Sequence, residues 1–294
     1  MGWGEFFALS SAACWALAVI LLRRSGETLP PFELNLFKNT LGVVLMVPSV
    51  VLFGGLILPG YSWVELATVL VSGLIGIALA DTWYLKGLNL MGASRTGIVA
   101  SLFSPFVIFL SAIFLGERMG LWQWMGVLMV FSGVLLVTWR VNRSEVDAVS
   151  IKRGTLYAAA AMMMMAAGIV MVKEILEVRP FLWTATLRLA GGVAGMLLFM
   201  SFSGRWRRVV HNFRQPQPWG LIIFASFLAT YLSLTLWLAG YKLIDASIAS
   251  ALNQTNSAFI VILAWLMLGE QMGHRKIVGV GLTLAGVIVM MTMQ

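Results

Sequence analysis

The sequence predicts an all-α polytopic membrane protein of ten transmembrane helices, arranged as two five-helix inverted-topology repeats. Three observations carry this. The 294-residue chain is 60% hydrophobic and 11% charged, whereas a soluble domain carries about 25% charged residues. Its apolar residues fall into ten runs, most near the roughly 20 residues that cross about 30 Å of hydrocarbon. The stretch GERMGLWQWMGVLMVFSGVLLV, 116–137, returns as GEQMGHRKIVGVGLTLAGVIVM, 269–290, at a constant offset of 153 with eight of 22 positions identical. A fixed long period says that the chain is two copies of one unit.

The runs span roughly 4–22, 33–53, 63–85, 94–115 and 121–139, then 154–174, 181–201, 219–241, 247–268 and 276–292. Residues 1–139 form the first repeat, 140–153 a polar linker and 154–294 the second repeat. The first run is read as a retained helix, because Arg23 and Arg24 follow the apolar stretch instead of preceding it.

Five spans per copy turn the second copy over, a construction typical of secondary transporters. The loops on one side hold 14 Lys and Arg and those on the other hold 4. Cytoplasmic loops retain positive charge, which makes the linker cytoplasmic and both termini periplasmic. The net charge of +8 is then charge facing anionic lipid, with no soluble unit to hold nucleic acid.

Enzyme chemistry has no support. His211 and His274 are expected in the segments between spans, Cys14 is the only cysteine, and no spacing of Cys, His and Asp suits a metal. No phosphate loop or dinucleotide fingerprint occurs, so no cofactor is expected and transport is not driven by the chain's own ATP hydrolysis.

Each copy carries Leu-Gly-Glu at the end of its fourth span and Gly-x6-Gly in its fifth. The set is Gly116, Glu117, Gly126 and Gly133, repeated as Gly269, Glu270, Gly279 and Gly286. In this arrangement the whole chain resembles the EamA family of the drug/metabolite transporter superfamily. The resemblance implies a carrier in the bacterial inner membrane that exports small metabolites, often amino acids or related compounds. The residues themselves say that glycines seven apart share a helix face, so that each fifth span is expected to pack on its counterpart. Glu117 and Glu270 are expected to satisfy helical N–H groups, with a gating or proton role as the alternative.

Ionisable groups at bilayer depth usually face a cavity. Lys38 and Arg188 occupy equivalent places in the two copies, and Lys173 is a further candidate. Each of the first two either snorkels to the headgroups or binds a substrate carboxylate. Asp81 has no acidic counterpart, since Leu234 stands there. It either pairs with Lys86 or carries a coupling proton.

The ninth run, IASALNQTNSAFIVI, places Asn253, Gln254, Asn256 and Ser257 near the midplane, and Ser101 and Ser104 of the fourth are the repeat counterparts of Gln254 and Ser257. These groups either tie helices together or bind substrate. Pro105 is a candidate hinge; the resembled family commonly has proline in both copies, and here Ala258 stands at the second place. Trp15, Tyr84, Tyr231 and Trp237 are candidate cavity aromatics, or anchors at the membrane edge.

The resulting expectation is a secondary-active exporter of small metabolites such as amino acids, including aromatic or other apolar ones, working by alternating access. Its partners are a small-molecule substrate and membrane lipid, and it acts as a monomer or a homodimer. The alternative is a lipid flippase or another membrane protein that does not transport.

Overall fold

Prolines and small polar residues mark where apolar runs become helices. Pro31 is the first residue of the second helix, where its missing N–H has no helical partner to lose. Ahead of the third span, Glu65 N donates to Ser62 Oγ at 3.2 Å and Ser62 N donates to Glu65 Oε2 at 2.6 Å, a reciprocal cap. The structure, a computed structural model, describes residues 2–54, 60–114, 120–138, 148–243, 252–253 and 255–292. Among the described residues it is helical, without strands.

The first half contains α1 (Trp3–Ser25), α2 (Pro31–Ser49), α3 (Trp63–Gly73), α4 (Ala80–Met91), α5 (Ala93–Ala100), α6 (Phe103–Phe114) and α7 (Leu121–Thr138). The second contains α8 (Ala148–Val170), α9 (Lys173–Val178), α10 (Phe181–Phe202), α11 (Trp206–Arg214), α12 (Trp219–Phe227), α13 (Ser233–Leu243), α14 (Asn256–Leu268) and α15 (His274–Thr292). Seven helices among the described residues are long and apolar enough to cross a membrane, beginning at Trp3, Pro31, Trp63, Ala93, Ala148, Phe181 and Trp219. Where the sequence leads one to expect the fifth and ninth spans, the apolar helices are shorter, Leu121–Val137 and Asn256–Leu268. The tenth expected span corresponds to α15. Trp63, Leu128 and Phe202 are 86%, 64% and 90% exposed, as suits a surface facing lipid.

Two local features depart from the sequence expectations. Lys173 begins the short helix α9 after a turn at 171–172, so it does not stand inside a span. The fourth span breaks ahead of Pro105, at Ser101 and Leu102, whose N–H groups donate three residues back to Ile98 and Val99. Pro105 lies in the first turn of α6, where its missing N–H interrupts no established helix. The proline therefore restarts a broken span and does not kink a continuous one.

The third and eighth spans each carry a π-helical turn, Leu74–Leu79 between α3 and α4 and Leu228–Leu232 between α12 and α13. At the offset of 153 the two turns overlap, and such turns recur at functional sites because they rotate the side chains that follow.

The glycine-spaced helices pack as expected. A Cβ on Gly133 would lie 2.8 Å from the Gly279 carbonyl oxygen, and one on Gly286 would lie 2.7 Å from the Gly126 oxygen. The earlier residue of α7 meets the later residue of α15, so the helices run antiparallel. Adding 153 to Gly126 and Gly133 yields Gly279 and Gly286, which exchanges one contact for the other. Close backbone approach replaces the hydrophobic drive that lipid removes. The same exchange relates α1 on α13 to α8 on α4.

Glu270 does satisfy helical N–H groups, but those of the opposite half. Its carboxylate accepts from Ala93 N at 2.6 Å and Ser94 N at 3.2 Å, and Lys276 Nζ stands 3.4 Å away. The turn before α5 is made by Gly92 at φ +86, a left-handed backbone that favours glycine. Gly116 and Glu117 lie outside the described residues.

Candidate functional site

Lys38 and Arg188 each stand seven residues, two helical turns, past the first residue of their helices. That depth brings both to one cavity of about 330 Å³, where they meet Asp81 of α4. The volume lies at the lower end of the roughly 300–1,000 Å³ usual for small-molecule sites.

Lys38 Nζ donates to Asp81 Oδ2 at 2.5 Å, and the two side chains are 4% and 13% exposed. Lys38 therefore does not snorkel. Nor does Asp81 pair with Lys86, which donates to the Tyr157 hydroxyl at 2.8 Å and sits over that ring at 4.2 Å. Residues five apart on a helix diverge by about 140°, so Lys86 leaves on another face.

Arg188 Nε donates to Ser72 Oγ at 3.1 Å, and Ser72 Oγ donates to Val69 O at 2.8 Å. Among the described residues no carboxylate lies within ion-pair distance of this guanidinium. The cavity wall thus holds two cations and one anion. A small anion entering it meets a guanidinium with donors to spare, in a low-dielectric setting where charge-assisted bonds are strong.

Around the charges the wall is aromatic and apolar. Trp15, Phe181 and Trp237 line it, the last two with ring centroids 5.8 Å apart. Asn253 and Asn256 lie on the wall near the start of α14.

Other candidates named from the sequence are not on this wall. Ser257 Oγ lies 3.0 Å from Ser101 Oγ and donates to Gly97 O at 3.0 Å, tying the fourth span to the ninth. Ser104 is buried in α6. Tyr84 is 3% exposed behind Trp15, with centroids 6.4 Å apart. The Tyr231 hydroxyl pairs with Ser49 Oγ at 2.8 Å. Gln254 lies outside the described residues.

Ser11, Asn39, Thr230 and Ser233 also line the cavity, unanticipated from sequence. Asn35 Nδ2 donates to the Ile77 and Ala78 carbonyls of the π turn at 3.0 and 3.2 Å. Carbonyls only accept, so the Asn35 oxygen turns to Asn39, whose Nδ2 donates to it at 2.7 Å. Thr230 Oγ1, which shares its one hydrogen between Ser226 O at 2.6 Å and Lys38 O at 3.0 Å, and Ser11 Oγ, which donates to Ser233 O at 2.8 Å, join the halves across the wall. A signal for these residues was present: Asn35, Lys38 and Asn39, and likewise Ser226, Thr230 and Ser233, follow helical spacing within apolar runs.

Comparison with known proteins follows the same duplication. The profile of the EamA-like transporter family matches residues 2–139 and again residues 152–292. A protein described as "Uncharacterized transporter YxxF", from Bacillus subtilis (strain 168), is 25% identical over 136 residues, covering 46% of this chain and 42% of that protein. Another, "Uncharacterized transporter in cobO 3'region" from Sinorhizobium sp, is 28% identical over 140 residues, covering 45% of this chain and 94% of its own length. The matched part of this chain thus spans less than half the length of the Bacillus relative. A solved structure described as "Crystal structure of protein" is similar in fold, with TM-score 0.66 at 19% identity, covering 99% of this chain and 96% of that one.

Proposed function

The chain belongs to the EamA-like transporter family, and on that premise we propose that it is a secondary-active exporter of small zwitterionic metabolites such as amino acids with aromatic or other apolar side chains. The observation that carries this is the juxtaposition in one cavity of the Lys38–Asp81 pair and the Arg188 guanidinium. In the proposed bound state the substrate carboxylate is held by Arg188 and Lys38, its ammonium by Asp81, and its side chain by Trp15, Phe181 and Trp237. Asn253 and Asn256 supply further polar contact. A proton on Asp81 removes the ammonium's partner, so proton and substrate occupy the site in turn, which is the condition for exchange.

We further propose that the copies form an inverted repeat in the bacterial inner membrane with both termini periplasmic, and that the site opens alternately to each side. The antiparallel packing of α7 on α15, self-exchanging at the repeat offset, supports the inversion. The charge asymmetry of the loops supports the orientation.

The test is counterflow in proteoliposomes loaded with a mixed pool of amino acids, their amides and their N-acyl derivatives. Exchange of the free amino acids alone is expected. Exchange without regard to the carboxylate would reject the assignment, and movement of fluorescent phospholipid between leaflets without solute exchange would favour a flippase.

A further inference from the structure

Between the seventh and eighth spans lies α11, whose sequence Trp-Arg-Arg-Val-Val-His-Asn-Phe-Arg is polar apart from four residues. At about 100° per residue, Val209, Phe213, Trp206 and Val210 fall in that order on one continuous arc. The protein covers only half of the arc. Val209 is 2% exposed, and the Phe213 ring packs against Phe37 and Trp219 at 6.5 and 6.0 Å. Asn212 Nδ2 pins the same side by donating to Glu33 Oε1 at 2.7 Å. The other half, Trp206 and Val210, is 46% and 40% exposed.

The uncovered half is bordered by two arginines and a histidine. Arg207, His211 and Arg214 follow one another at i, i+4 and i+7 beside Val210, and all three are exposed. Among the described residues none of these guanidiniums has a carboxylate within ion-pair distance. Just before α11, at the end of α10, Phe199 and Phe202 are 47% and 90% exposed and Arg205 lies over the Phe199 ring at 5.0 Å.

We propose that α11 is an interfacial helix that docks on anionic phospholipid, with Trp206 and Val210 at the boundary of headgroups and acyl chains and Arg207 and Arg214 on headgroup phosphates. Three features select a lipid surface over an acidic soluble partner. The exposed Phe202 stands four residues before Trp206, at the end of a helix long and apolar enough to cross a membrane. A tryptophan stands where polar and apolar regions meet, the position its ring favours in bilayers. The guanidiniums border the strip along its length, as in helices that lie in the plane of a membrane.

Each cation near an anionic surface contributes about 1 kcal/mol, close to five-fold in partition. The full chain would be purified in neutral detergent and its retention of phosphatidylglycerol over phosphatidylcholine measured by native mass spectrometry. Arg207→Gln with Arg214→Gln is expected to lower that preference about 25-fold. Lys152→Gln with Arg153→Gln, an equal loss of exposed charge at the start of α8, is expected to leave most of it. Equal losses in the two variants would overturn the site, as would full displacement of the lipid by inorganic phosphate at the same concentration. Should the arginine variant fail to fold, brominated phosphatidylglycerol reads the same contact through the fluorescence difference between wild type and Trp206→Phe. Absence of quenching in that difference would also overturn the proposal.

Discussion

Lys38 Nζ reaches across from the second span to within 2.5 Å of Asp81 Oδ2 in the third, while Arg188, its counterpart in the other half, has no such carboxylate among the described residues. Two equivalent cations thus meet unequal surroundings, and the difference organises the site.

Removing one member of the close pair should strand the other. Lys38→Met or Asp81→Leu alone is expected to cost about 3–5 kcal/mol, and the double variant markedly less than their sum. Denaturant unfolding in micelles measures this, and strict additivity would mean that the pair is not coupled. Asp81→Asn, which cannot take up a proton, is expected to lose proton-driven accumulation while keeping part of the exchange. Unchanged pH dependence would remove Asp81 from coupling.

For Arg188 the expected loss is in affinity. A charge-assisted hydrogen bond is worth about 1.5–3 kcal/mol, so Arg188→Gln should weaken carboxylate substrates roughly 10- to 150-fold. Substrate amides should bind wild type and variant alike. Equal effects on acids and amides would show that the side chain shapes the cavity without reading charge.

The polar residues of the ninth span should divide into two groups. Asn253→Ala and Asn256→Ala, on the cavity wall, are expected to raise the apparent half-saturation concentration in folded protein. Ser257→Ala, which removes the link to Ser101 and Gly97, is expected to cost about 0.6–2 kcal/mol of stability with affinity preserved. Normal transport per folded molecule in both asparagine variants would place substrate elsewhere.

Along the α7–α15 seam a Cβ has no room. Gly133→Val is expected to destabilise by about 1–3 kcal/mol, whereas Gly120→Ala, with nothing within 4 Å of the added carbon, should be near neutral. Thermal unfolding that fails to separate the two would show that the backbones part readily.

A periplasm-sensitive reporter fused after Gln294 should be active, given the 14-to-4 distribution of Lys and Arg. Activity of a cytoplasm-only reporter at the same point would reverse the proposed orientation.

From sequence alone, composition determined that the chain spans a membrane, the 153-residue offset determined that it is duplicated, and the paired glycines named the helices that meet. These are local or additive properties: apolar content sums along a run, and residues seven apart share a face whatever lies opposite. Which face lies opposite is not local, and tertiary structure alone decided it. Only the packing of α2 on α4 directed Lys38 to Asp81, and only that of α8 on α4 gave Lys86 its partner Tyr157. Only the approach of α5 to α14 turned Ser101 and Ser257 toward each other and away from the cavity. In the same way Glu270, adjacent in sequence to its own fifth span, spent its carboxylate on the opposite half at Ala93 and Ser94. A buried polar group must find a partner, and in a helical membrane protein that partner usually stands on another helix, at a separation that no sequence period encodes.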